Sequence, residues 1–148
     1  MEPKPTIGIT FSTFDLLHAG HIRMLADAKT QCDYLIVGLQ TDPTIDRPEK
    51  NRPTQTLVER YTQLKGCRFV DEIIPYTTEQ DLDDILRLYA INVRIIGEEY
   101  REKEFTGRKY CEENKISLVY NSRSHRFSST GLRREVYESE CAKQMKKV

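Results

Sequence analysis

Short apolar runs alternate along the chain with longer stretches of mixed polarity. Runs of strand length fall at residues 6–11, 34–40, 72–75, 93–96 and 118–121, and each consecutive pair is separated by enough chain for a helix. The clearest helical stripe lies in 81–89, where Leu82, Ile85, Leu86 and Tyr89 recur at the i, i+3, i+4, i+7 spacing of one buried face. Ile22, Leu25, Ala26 and Lys29 give the segment after the first strand a weaker stripe. Strands alternating with helices predict an α/β fold with right-handed crossovers. The expectation is a single domain over residues 1–148, a Rossmann-like doubly wound sheet of about five parallel strands with helices on both faces.

Two segments interrupt this rhythm. Residues 42–54 hold Pro43, Pro48 and Pro53 among Asp, Glu, Lys and Arg, a composition that excludes a regular element and predicts a long loop. Long loops in compact domains are often functional. The last helix is predicted to begin at Ser128 or Ser129, either hydroxyl being able to accept from the first-turn N–H groups, with Lys143, Lys146 and Lys147 suited to its far end. Neither serine has Glu or Gln three residues on, so no capping-box carboxylate neutralises that end, which is left open to an external anion.

Composition narrows the partners. The chain has 148 residues, enough to bury a core without disulfides, and 23 basic against 23 acidic residues with a pI near 6.8. No general field draws it to nucleic acid or to an anionic membrane, so any phosphate affinity must be local. Cys32, Cys67, Cys111 and Cys141 are scattered without a C-x-x-C pair, and no run reaches the length of a membrane span. The N-terminal residues lack the apolar core of a signal peptide. A soluble, cytoplasmic protein with reduced thiols is expected.

In a doubly wound sheet, ligands sit beyond the carboxyl ends of the strands where the strand order reverses, so the loops after the first, fourth and fifth strands matter most. After the first comes Ser12-Thr13-Phe14-Asp15-Leu16-Leu17-His18-Ala19-Gly20-His21. Two imidazoles three residues apart at a helix start can aim N–H donors at one phosphate while the helix terminus adds its partial charge. Taken alone, the two histidines read first as a satisfied structural pair, with half of a metal site as the other alternative, although no third ligand lies at a convincing spacing. The fixed order, the glycine and the position after a strand together favour phosphate.

The string resembles the H-x-G-H signature of the cytidylyltransferase-like family, whose first motif reads G-T-F-D-x-x-H-x-G-H, with Ser12 in place of the glycine. The resemblance extends through Arg60, through 68–72 (Arg-Phe-Val-Asp-Glu), and through 123–130 (Arg-Ser-His-Arg-Phe-Ser-Ser-Thr), which is similar to the family's R-T-x-G-I-S-T-T with Arg126 in place of the glycine. It implies transfer of a nucleoside monophosphate from a nucleoside triphosphate, CTP before ATP, to a small phosphorylated acceptor such as glycerol 3-phosphate. Pyrophosphate leaves, magnesium accompanies the triphosphate, and the protein is a homodimer.

The resemblance also distributes roles. His18 and His21 contact the α-phosphate and its transition state, joined in the catalytic set by Arg123 and by Lys50 of the proline-rich loop. Thr10, Phe11, Ser12, Thr13, Phe14 and Gly97 line the nucleotide, and Ser128, Ser129 and Thr130 hold its outer phosphates. Asp15, Arg52, Arg60, Arg68 and Tyr100 are expected on the acceptor side. Asp15 and Thr13 order the histidine loop, with magnesium as the aspartate's other option. Arg60 and Arg68 are equally readable as helix-surface ion-pair partners, the loop at 42–54 as a solvated charge run, Tyr100 as a core edge, and the Ser-Ser-Thr hydroxyls as plain caps. Two functions compete with cytidylyl transfer: an adenylyltransferase using ATP, and a non-catalytic nucleotide sensor in which Ser12 and Arg126 mark lost turnover.

Overall fold

The computed structural model describes residues 3–122 and 127–147. Five strands, β1 (Ile7–Ser12), β2 (Tyr34–Gln40), β3 (Glu72–Tyr76), β4 (Val93–Gly97) and β5 (Ser117–Asn121), form one parallel sheet in the order β3-β2-β1-β4-β5. Five helices alternate with or follow them: α1 (Ala19–Lys29), α2 (Leu57–Lys65), α3 (Glu79–Leu88), α4 (Arg108–Glu113) and α5 (Ser129–Lys146). The predicted doubly wound α/β fold is the fold observed.

The pleat of β2 sends Leu35, Val37 and Leu39 into a core shared with Leu25 and Ala28 of α1 and Leu64 of α2, while Ile36 joins Leu82, Ile85 and Leu86 of α3 on the other face. Helix starts are written in the sequence. Thr56 with Glu59 opens α2, and Thr78 with Asp81 opens α3, each pair bonding reciprocally across the first turn.

Three local readings need correction. Tyr89 does not continue the α3 stripe: the helix closes at Leu88, and Tyr89 is extended and 40% exposed because the chain must turn there so that Ile91 can be buried before β4. In α1 the buried alanine is Ala28, one turn after Leu25, and not Ala26. The segment 42–54 is not wholly irregular. Pro43 opens a single 3₁₀ turn, Pro43–Ile45, capped by Asp42 Oδ1, which accepts from Thr44 N at 2.9 Å; a ring-fixed φ and a missing N–H suit a first helical position.

The strand order reverses between β1 and β4, and the sheet is weakest there. Strand β1 pairs with β2 along its full length, from Ile7 to Ser12, but with β4 only at Gly8↔Val93 and Ile9↔Arg94. Beyond that point the two strands part, and a crevice opens between Thr10–Ser12 and Ile95–Gly97 at their carboxyl ends.

Candidate active site

The loop from β1 to α1 has an unusual backbone. Phe14 and Leu16 both adopt left-handed φ values, 49° and 52°, which cost free energy for residues with a Cβ and persist only where the surroundings fix them. Burial of the Phe14 ring, 1% exposed, fixes the first, and donation by Leu16 N to Gln55 Oε1 at 2.8 Å holds the second. Phe14 therefore serves the core: its ring stands 5.4 Å from that of His21 and lines neither lobe of the crevice, which corrects its expected place on the nucleotide.

That loop delivers His18 to the N-cap of α1. His18 Nδ1 accepts from Gly20 N at 3.0 Å, and His21 Nδ1 accepts from His18 N at 3.2 Å. The rings stack with centroids 3.9 Å apart and an interplanar angle of 29°. An imidazole nitrogen that accepts from the backbone carries no proton, so in the neutral rings the proton sits on Nε2. Two Nε2–H donors on stacked rings then stand at the first turn of a helix, where the aligned peptide dipoles also favour an anion.

Both rings line one lobe of the crevice, about 380 Å³, together with Thr10, Gly97, Asn121 and residues 127–130 at the start of α5. Ser128 caps α5, its Oγ accepting from Gly131 N at 2.9 Å, while Ser129 Oγ donates to the Asp15 carbonyl at 2.9 Å. The predicted start of this helix holds, as does the lack of a capping-box acid. Ser129 spends its O–H on the fold, while Ser128 and Thr130 act as acceptors; an accepting hydroxyl can still donate, so this end offers a phosphate the backbone N–H groups of the first turn and those two hydroxyls. Arg123 lies outside the described residues.

A second lobe of about 360 Å³ adjoins the first through Phe11, Ser12, Thr13, Tyr100 and Ser129. Both volumes are of ligand-pocket size. Among the described residues Lys50, Arg52, Arg47, Arg94 and Arg133 line the second lobe against two carboxylates, Asp15 and Glu79, and Glu79 is ion-paired to Arg47 at 2.6 Å. Lys50 and Arg52 stand on the proline-rich loop as expected, Arg52 almost fully exposed and 4.0 Å from Asp42. Tyr100 borders both lobes, edge-on to Phe105.

Asp15 is 5% exposed and both of its oxygens are occupied: Oδ1 accepts from Gln55 N at 2.9 Å, and Oδ2 accepts from Thr54 N at 2.8 Å with Arg133 Nη1 at 3.4 Å. It ties the histidine loop to the end of the proline-rich loop and to α5.

Two arginines are not where the acceptor-side expectation put them. Arg60 is 2% exposed and gives its guanidinium to four backbone carbonyls, those of Gln55, Thr13, Gln40 and Thr41. It is neither a surface ion-pair partner nor a group open to substrate. Arg68 sits exposed in the turn before β3, against the ring of Phe69. In a parallel sheet that turn lies at the end opposite the crevice, so Arg68 is separated from the site.

Arg94, Arg47, Arg133 and Tyr76 line the second lobe without having been singled out in the sequence. For Arg94 a signal existed: it is the one charge inside the apolar run Val-Arg-Ile-Ile of β4. Among the described residues no group of three or more His, Cys, Asp or Glu is placed to hold a metal ion, and no helix is long and apolar enough to cross a membrane.

The family model described as Cytidylyltransferase-like matches residues 9–135. Glycerol-3-phosphate cytidylyltransferase of Bacillus subtilis (strain 168) is 34% identical over 86% of this chain and 95% of its own, and that of Staphylococcus aureus (strain NCTC 8325 / PS 47) is 32% identical over 87% and 93%. The bifunctional protein HldE of Granulibacter bethesdensis is 37% identical over 69% of this chain, which spans only 21% of HldE. Among solved structures, a lipopolysaccharide core biosynthesis protein from Thermoplasma volcanium GSS1 superimposes with a TM-score of 0.63 at 23% identity, covering 84% of this chain and all of that one, a likeness of fold.

Proposed function

The chain belongs to the cytidylyltransferase-like family, and from that footing we propose that it transfers CMP from CTP to a small phosphorylated acceptor such as glycerol 3-phosphate, with release of pyrophosphate. The observation that carries this reading is the stacked His18–His21 pair at the start of α1, lining the same lobe as the start of α5 and adjoined by a second, cationic lobe.

In the reaction a phosphate oxygen of the acceptor attacks the α-phosphorus of CTP, the bond to the β-phosphate oxygen breaks, and pyrophosphate carries the electron pair away. The attacking oxygen is already anionic near neutral pH, so no strong general base is required. The task left to the protein is to bring two anions together and to stabilise charge on the transferring phosphoryl group. The Nε2–H groups of His18 and His21 suit the α-phosphate, and the N–H groups at the start of α5 suit the outer phosphates. Lys50 and Arg52 suit the acceptor. Magnesium enters as the counterion of CTP, part of the substrate.

The test is a pyrophosphate-release assay crossing CTP, ATP, GTP and UTP with glycerol 3-phosphate, phosphocholine, phosphoethanolamine, sugar phosphates and FMN. Release is expected only when triphosphate, magnesium and acceptor are all present, and fastest with CTP. Binding of CTP or ATP without turnover on any acceptor would replace this reading by that of a sensor.

A cytoplasmic homodimer completes the proposal. Helix α5 buries none of its residues in the monomer, and Leu132 and Val136, one turn apart on it, are exposed apolar side chains of the kind that partner subunits cover. Light scattering on a sizing column should give twice the chain mass, and Val136→Asp should shift the protein towards monomer. A wild-type protein that is monomeric at tens of micromolar would remove the dimer from the proposal.

A further inference from the structure

Arg94 lines the second lobe and not the first, which holds His18 and His21. The residue is 4% exposed, its guanidinium centred 5.1 Å from the ring of Phe11 and 5.0 Å from that of Phe105. Nη1 donates to the Thr106 carbonyl, and the Cys111 thiol is a second neighbour. Among the described residues it forms no ion pair with a carboxylate: Glu79, whose charge reaches it, is bound to Arg47. Tyr76, 6% exposed, lines the same lobe.

A guanidinium has five N–H groups; among the described residues the hydrogen-bond partners of Arg94 are the Thr106 carbonyl and the Cys111 thiol, and Arg94 is one of the side chains that line the second lobe. A charge drawn this far out of water and left without a counter-charge costs free energy that a bound anion would offset. Flanking rings hold the planar fork in one orientation, which suits a planar, bidentate acceptor better than a hydroxyl.

We propose that Arg94 binds a carboxylate at the end of the acceptor remote from its attacking phosphate, so that the preferred acceptor is a phosphate monoester of a short hydroxy acid. The proposal rests on the nucleotidyl-transfer reading and specifies its acceptor. Glycerol 3-phosphate, which ends in a neutral hydroxymethyl group, fits the lobe but leaves the Arg94 fork unmatched.

The test compares glycerol 3-phosphate with 3-phosphoglycerate, the same skeleton carrying a carboxylate in place of that hydroxymethyl. With CTP and magnesium, kcat/KM should favour 3-phosphoglycerate by at least about tenfold, the scale of one charge-assisted pair. In Arg94→Gln the ratio of the two should collapse to within about threefold. A loss of general cationic field, by contrast, would follow Lys50→Gln or Arg52→Gln equally. A wild-type ratio near one, or a ratio that Arg94→Gln does not change, overturns the proposal.

Calorimetric dissociation constants for the two acceptors, taken with a non-hydrolysable CTP analogue, separate the two readings. If CTP binds and neither acceptor turns over, the transfer reading fails, while the ratio of dissociation constants still decides for or against Arg94. Should Arg94→Gln not fold, Arg94→Lys keeps the charge without the fork and is expected to lose most of the preference. Wild-type discrimination in binding decides if neither variant folds.

Discussion

His18→Asn should lower kcat by about 10²- to 10³-fold, the usual effect of removing one preorganised donor from a transition state, while leaving thermal stability close to wild type. The two halves of this expectation come from the two nitrogens of one ring. Nδ1 caps α1 by accepting from Gly20 N, and asparagine, among the best N-cap residues, can keep that bond through its side-chain oxygen. The Nε2–H aimed into the crevice has no equivalent on the shorter amide. His18→Ala loses both and should cost about 1 kcal/mol of stability in addition. Denaturant titration gives the folded fraction to which kcat is normalised. A folded His18→Asn enzyme with near-normal turnover would make the ring a cap and nothing more. His21→Asn should show a loss of the same kind, and the double variant should fall short of additive because both donors address one phosphate.

The sheet and the H-x-G-H loop were legible in the sequence because each is a local pattern. Strand periodicity, the α3 stripe and the capping serines report on residues close together in the chain. Pairing across the sheet is different. Nothing local shows that β1 and β4 stay paired only to Ile9 and Arg94, yet that separation makes the crevice. Burial of charge is equally hidden. Arg68 and Arg60 look alike as residues aligned with a family motif, and only the folded chain puts one in a solvent-facing turn and the other among four carbonyls. A hint was available for Arg60. Leu57, Arg60, Tyr61 and Leu64 fall at i, i+3, i+4 and i+7, so the arginine occupies a core position of the α2 stripe, where a charge is present for a reason other than solubility. Phe14 shows the reverse case, a motif residue that serves packing.

Arg60→Lys is expected to be among the most destabilising single substitutions in this chain despite keeping the charge. The guanidinium sits where three segments of the site meet: its Nη1 donates to Thr13 O at 2.9 Å and Gln40 O at 2.6 Å, Nη2 to Thr41 O at 2.6 Å, and Nε to Gln55 O at 3.2 Å. An ammonium is a compact group with three donors and cannot reproduce this planar spread, so at least one carbonyl is left without its donor and the charge keeps its desolvation cost. Burial already depresses the Arg60 pKa, with Asp15 and Asp42 pulling it back up; a lysine in the same place, with a much lower intrinsic pKa, would feel that burial as a stronger push towards the neutral form. Each buried carbonyl left unsatisfied costs roughly 1–3 kcal/mol, so Arg60→Lys should lose about 2–3 kcal/mol and Arg60→Met, which satisfies none of the four, about 4 kcal/mol or more. Activity should fall in the folded fraction as well, because Thr13 and Gln55 carry the loop that presents His18. Urea titration of both variants checks the first claim, and kcat per folded molecule checks the second. If Arg60→Lys keeps wild-type stability and raises only the KM for the acceptor, the arginine contacts substrate after all, and the packing seen around it does not describe its role.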